Sequence, residues 1–180
     1  GLAAALGLAR SARAGPGLSR GLSGLALRGV DGVKAGPGGR SSVSGVTVTI
    51  FGATGFLGRY VCNEFGKMGS RVVLPTRCGD TSAQHLRVMG DLGQMVLEEY
   101  DDGTFLRDEA EVTRLVERSN VVVNMIGRDV ETGNYGFEEL NVAFPETIAK
   151  ACQAAGVQRL LHVSALGAGP EAASRNLRTR

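Results

Sequence analysis

The chain has 180 residues, 43% hydrophobic and 21% charged, which argues against a disordered or fibrous protein and leaves room for one domain with a real core. Its net charge of +2 is unevenly spread: residues 1–45 carry Arg10, Arg13, Arg20, Arg28, Lys34 and Arg40 against the single acid Asp31, so the remainder is net acidic and advertises no basic face for nucleic acid. No stretch reaches the roughly 18 apolar residues of a membrane span, and three cysteines without CxxC spacing and two isolated histidines argue against a disulfide scaffold or a metal centre.

Residues 1–45 are rich in Gly, Ser, Ala and Leu and contain Pro16 and Pro37. An arginine-rich, serine-containing and nearly acid-free leader matches an organelle transit peptide, with a plain disordered tail and a secretory signal as competing readings. The fold is expected over residues 46–180. Residues 46–51 are rich in β-branched side chains and read as a strand. Residues 55–68 follow as a helix whose apolar stripe is Phe56, Leu57, Tyr60, Val61, Phe65 and Met68, with Gly69 as its cap. A strand over 71–76, a short helix over 83–89 and a weaker strand over 94–99 come next. A helix over 109–118 carries Val112, Leu115 and Val116, and residues 120–126 are apolar on both faces, as a central parallel strand must be. A helix over 137–155 sets Leu140, Phe144, Ile148 and Cys152 on an i, i+4 ladder, with Pro145 expected to break or kink it. Residues 159–165 form a fifth strand. Strands and helices alternating in this way make an α/β protein, a Rossmann-type open parallel sheet of order 3-2-1-4-5.

The most informative segment is the passage from the first strand into the first helix, where Gly52, Gly55 and Gly58 form G-x-x-G-x-x-G. Gly52 permits a tight turn, Gly55 removes the side chain that would block a pyrophosphate, and Gly58 allows close packing of the helix. The free N–H groups at the helix start favour an anion, so Ala53, Thr54, Phe56 and Leu57 join the candidate contact set for a dinucleotide. No Gly-Lys-Ser/Thr follows, which excludes a Walker-type loop. At the end of the second strand Arg77 suits the 2′-phosphate of NADPH, against Asp80 three residues later for the ribose hydroxyl of NADH; NADPH is the favoured cofactor. Arg59 is either a second cation for the nucleotide or a solvated residue of the outer helix face. Asp101 is either a contact to the adenine amino group or a turn residue. Ile126 and Gly127 end the fourth strand where nicotinamide or ribose would pass.

FGATGFLGRYV at 51–61, Arg77-Cys78, HLRVMGDLGQ at 85–94, NVVVNMIGRDVET at 120–132, NYGFEELN at 134–141 and HVSALGA at 162–168 resemble the nucleotide-binding accessory subunits of mitochondrial respiratory complex I, an atypical branch of the extended short-chain dehydrogenase/reductases. The resemblance covers residues 45–180. It implies a non-catalytic subunit of NADH:ubiquinone oxidoreductase on the matrix side of the mitochondrial inner membrane, beside other complex I subunits, with a tightly held NADPH that supports stability or assembly. Active members of the wider group use a Ser, a Tyr and a Lys four residues after the Tyr. Ser164 matches the serine and is kept as a cofactor or loop contact, but Asn176 stands at the Tyr position and Arg180 at the Lys position. An amide does not exchange a proton near neutral pH and arginine is fixed in its charged form, so ordinary ketone reduction is not expected. The group's fold continues with a helix starting near Ser174, two further strands and a substrate domain, and this sequence ends before them. The leading alternative is an NADP-dependent reductase or epimerase of organelle metabolism using Tyr135 or another residue, followed by a nucleotide-sensing or RNA-associated module.

Overall fold

The computed structural model describes residues 42–77, 81–100, 108–133 and 135–180. Five strands form one parallel sheet: β1 (Thr47–Phe51), β2 (Arg71–Arg77), β3 (Met95–Tyr100), β4 (Val121–Asn124) and β5 (Arg159–His162), in the order β3-β2-β1-β4-β5. The expected order is the observed one. Register runs Val48 to Val72 on one side of β1 and Val48 to Val121 on the other.

Alternation along the central strands divides two cores. Val48 and Ile50 of β1, Val72 and Leu74 of β2, and Val121 and Val123 of β4 face α1 (Phe56–Lys67) and a 3₁₀ segment at Thr81–Met89. Phe51 and Val122 face α2 (Glu109–Val116) and α3 (Phe144–Ala154), where the ladder of Leu140, Phe144, Ile148 and Cys152 is buried throughout. Phe144 meets Phe51 edge to face at 5.7 Å between ring centroids. Thr49, the polar exception in β1, donates to the Leu115 carbonyl at 3.0 Å and pairs with Ser119 Oγ at 2.6 Å, so its burial leaves nothing unsatisfied.

The local differences from expectation have physical causes. Helix α1 does not bury its most apolar stripe. Gly58, Cys62 and Gly66 form the buried line, Val61 and Phe65 flank it, and Phe56 and Tyr60 remain 79% and 61% exposed. Small residues at i, i+4 and i+8 let the helix axis lie close to the sheet: a Cβ on Gly66 would run into the Met89 carbonyl, and one on Gly58 into the carbonyls of Gly52 and Ala53. Residues 81–89 coil as 3₁₀, and its two buried side chains, Ala83 and Leu86, are three apart as that helix demands. Pro145 does not break its helix. The chain winds as a π-helix at Glu139–Ala143 and enters α3 with the proline in the first turn, where its missing N–H costs least. Strands β4 and β5 are shorter than expected, because residues 125–128 and 163–165 leave the ladder at the sheet's C-terminal edge. β5 pairs with β4 and its residues are exposed, with Leu161 at 53%. A helix near Ser174 is expected to be missing from this sequence, but a short one is present: α4 (Arg175–Thr179) starts there, because Ser174 Oγ caps it by accepting from the Leu177 N–H at 3.1 Å.

Candidate functional site

The C-terminal ends of the strands open into a cleft of about 280 Å³ between the turn at 52–55 and the loop after β4. In open α/β sheets this is where the strand order reverses, since β1 has β2 on one side and β4 on the other. Gly52 adopts φ +81°, a region that L side chains avoid, and a Cβ there would stand 2.9 Å from the Met125 carbonyl carbon and 3.0 Å from the Ile126 nitrogen. The turn is thus pressed against the backbone that leaves β4. Gly55 closes the turn by donating to the Gly52 carbonyl at 3.2 Å, then serves as the N-cap of α1 without any side chain to occupy the helix's first N–H groups. That leaves a cradle of backbone donors at the positive end of the helix dipole.

Of the residues marked from sequence, Gly52, Ala53, Thr54, Gly55, Arg77, Ile126 and Gly127 come together around this cleft. Gly58 lies beneath the turn, where it sets the spacing of α1 and does not line the cleft. Phe56 and Leu57 turn outward to solvent. Arg59 is exposed on the outer helix face, its Nε donating to the Thr54 carbonyl at 3.4 Å. Asp101 and Asp80 lie outside the described residues. Ser164 is not brought to the cleft: its Oγ donates to the Arg180 carbonyl at 2.9 Å and ties α4 to the loop after β5. Arg180 is held firmly in place. Only 18% of its side chain is exposed, and its guanidinium donates to Asn176 Oδ1 at 3.1 Å and to the Arg128 carbonyl at 3.1 Å.

Sequence reading missed much of the wall. Thr76, Tyr100, Met125, Arg128 and Leu140 line the cleft, together with Tyr135. A residue's place at the C-terminal end of a strand was the available signal for Thr76, Tyr100 and Met125. Nothing local marks Leu140, which reaches the cleft from the π-helix. Behind the cleft Asn124 is buried; its Oδ1 accepts from the Ile126 N–H at 3.0 Å and its amide meets His162 Nδ1 at 3.1 Å, which fixes the path of the chain leaving β4. Partial desolvation of the His162 ring and the charge of Arg180 lower its pKa. Burial pushes the Cys62 thiol up to about 12 and that of Cys152 up to about 11, which makes both inert near neutral pH.

A turn that admits only glycine, an uncapped helix start and two arginines at one cleft define a nucleotide-binding α/β domain of the dehydrogenase and epimerase type. The sequence profile of the NAD dependent epimerase/dehydratase family matches residues 48–179, and the chain belongs to that family. A nucleoside-diphosphate-sugar epimerase from Pseudomonas aeruginosa shares the fold, with a TM-score of 0.53 and 20% identity over 71% of this chain and 36% of that one. Among curated relatives the chain is similar to NADH dehydrogenase [ubiquinone] 1 alpha subcomplex subunit 9, mitochondrial, of Rattus norvegicus, with 51% identity over 145 residues, 81% of this chain and 37% of the relative. The protein of the same description from Arabidopsis thaliana is 46% identical over 160 residues, 88% of this chain and 39% of the relative. The NADH-ubiquinone oxidoreductase 40 kDa subunit, mitochondrial, of Neurospora crassa is 44% identical over 133 residues, 74% of this chain and 34% of the relative. The chain therefore spans less than two fifths of the length of the curated relatives it matches.

Proposed function

We propose that this chain is the nucleotide-binding part of a non-catalytic accessory subunit of mitochondrial NADH:ubiquinone oxidoreductase, and that it holds NADPH as a structural group. The observation that carries the reading is the 51% identity to a rat complex I subunit across a segment that includes the whole glycine turn and the cleft. The cleft suits a dinucleotide: a Cβ on Gly55 would come 3.3 Å from the Gly52 carbonyl on the side where a diphosphate approaches, and Arg77 ends β2 at the cleft wall. On this reading residues 52–55 would hold the diphosphate, Arg77 the 2′-phosphate, and Ile126 and Gly127 would border the nicotinamide half. On this reading Asn176 and Arg180, bonded to one another at 3.1 Å, would stand where active relatives carry Tyr and Lys, and neither side chain exchanges a proton near neutral pH. The bound nucleotide would supply binding free energy to the folded state: at a hundred times its Kd a ligand adds about 2.7 kcal/mol.

Residues 1–45 would direct import, residues 46–180 would form the nucleotide domain, and the partners would be other complex I subunits on the matrix side of the inner membrane. No helix among the described residues is long and apolar enough to cross a membrane, which suits a peripheral subunit. The test is native electrophoresis of mildly solubilised mitochondrial membranes. Co-migration of the endogenous protein with NADH dehydrogenase activity is expected, and migration as a small soluble species would reject the reading. An NADP-dependent reductase or epimerase is the second reading, favoured by the presence of Tyr135 in the cleft wall. Turnover of a carbonyl panel that is lost in Tyr135→Phe would establish it.

A further inference from the structure

Two charged side chains are among the described residues lining the cleft, Arg77 and Arg128, and both are cationic. They stand on opposite walls. Arg77 ends β2, while Arg128 follows β4, which pairs with β1 on the other side. Arg128 is therefore next to the strand that delivers the glycine turn, whose Gly52 presses on Met125 and Ile126. The carboxylate nearest to Arg128 in sequence, Asp129, is already engaged by Arg180 Nη2 at 3.4 Å and by Asn176 Nδ2 at 3.5 Å. Arg128 itself enters no ion pair among the described residues.

The backbone that presents Arg128 is held from a distance. Arg180 donates to its carbonyl at 3.1 Å and lays its guanidinium over Gly127, where a Cβ would stand 2.9 Å from Nη2. Arg180 is itself held by Ser164, which donates to its carbonyl, and by Asn176 Oδ1, which accepts from its Nε at 3.1 Å; Asn141 of the π-helix donates to that same Asn176 Oδ1 at 3.3 Å and to Thr179 Oγ1 at 3.0 Å. Ser164 and Asn141 thus fix α4 and its last residue, and from there Asn176 and Arg180 touch residues 127–129. We infer that Arg128 contacts the diphosphate of the nucleotide in this cleft, from the wall opposite Arg77, and that Arg180 is the positioning residue that holds Arg128 there. The inference rests on the nucleotide reading and deepens it. It assigns the two arginines different tasks: Arg77 reads the phosphate that distinguishes NADPH from NADH, and Arg128 grips a phosphate that both carry.

The experiment is fluorescence titration of the full chain with NADPH and, separately, NADH. Arg128→Gln is expected to weaken both by the same factor, about tenfold, the lower end of what one charge-assisted hydrogen bond contributes. Arg77→Gln is expected to weaken NADPH alone. Arg128→Lys, which keeps the charge, should retain most of the affinity, and an unchanged melting temperature in all three would exclude misfolding as the cause. Arg180→Met should weaken NADPH in the wild-type chain and add nothing in the Arg128→Gln chain, because a positioning residue acts only through the group it positions. Equal affinities in wild type and Arg128→Gln, or a loss confined to NADPH, would overturn the diphosphate assignment. The same Arg180→Met loss in both backgrounds would overturn the positioning role. A wild-type chain that binds neither nucleotide would refute the nucleotide reading, and this one with it.

Discussion

Replacing Gly52 by alanine isolates the demand that the glycine turn places on the backbone. At φ +81° an L residue pays roughly 1–2 kcal/mol for left-handed backbone. The added methyl also lands 2.9 Å from the Met125 carbonyl carbon and 3.0 Å from the Ile126 nitrogen, both backbone atoms of the segment leaving β4, which cannot swing aside as a side chain would. Overpacking of this kind costs about 1–3 kcal/mol, so the total is about 2–5 kcal/mol against a usual stability of about 5–15 kcal/mol. For a domain of this size that lowers Tm by roughly 6–20 °C. The assay is thermal unfolding followed by circular dichroism without nucleotide, alongside Gly55→Ala. Gly55 has φ −69° and its Cβ would lie 3.3 Å from the Gly52 carbonyl, so its replacement should leave Tm nearly unchanged while weakening nucleotide binding. A Gly52→Ala chain melting within about 3 °C of wild type would refute the tight-turn argument.

Phe144→Ala should cost about 3–5 kcal/mol, since the ring is fully buried against Phe51 and its loss leaves a cavity between the sheet and α3; chemical denaturation with an unchanged slope would measure it. Thr49→Val removes a hydroxyl that bridges the Leu115 carbonyl and Ser119 deep under α2, and is expected to destabilise by about 1–3 kcal/mol despite the matched volume; Ser119→Ala introduced with it should recover part of that loss. The lowered pKa of His162 gives stability a pH dependence of known sign. The unfolded chain takes up the proton first, so stability is fully present above about pH 6.5, the ordinary value, and falls as pH drops through the lower folded value. His162→Gln should flatten Tm against pH below about 6.5, and an unaltered slope would show that another group carries the dependence.

Much of the architecture is written locally. β-branched runs at 46–51 and 120–126 mark strands buried on both faces, and the alternation of such runs with helical periods leaves little choice of topology once right-handed crossovers are required. The glycine turn is equally legible, because φ near +80° and a backbone neighbour within 3 Å are demands that one residue type meets, wherever the rest of the chain lies. Helix α1 shows where local reasoning stops. Its strongest apolar stripe includes Phe56, Leu57 and Tyr60, yet closeness to the sheet is worth more than the area of those side chains, and the small line Gly58, Cys62 and Gly66 wins the buried face.

The sequence by itself determined the sheet, its order and the strand-to-helix turn that opens the cleft, since each follows from patterns a few residues long. Only the tertiary structure decided what faces that turn. Arg128 and Tyr135 come to the cleft from the segment after β4, Leu140 from the π-helix that accommodates Pro145, and Arg180 bonds directly to Arg128 and Asp129 from more than fifty positions away. Those placements depend on how far each loop carries the chain after it leaves the ladder and on which distant hydrogen-bond partners then become available, quantities that no local periodicity encodes.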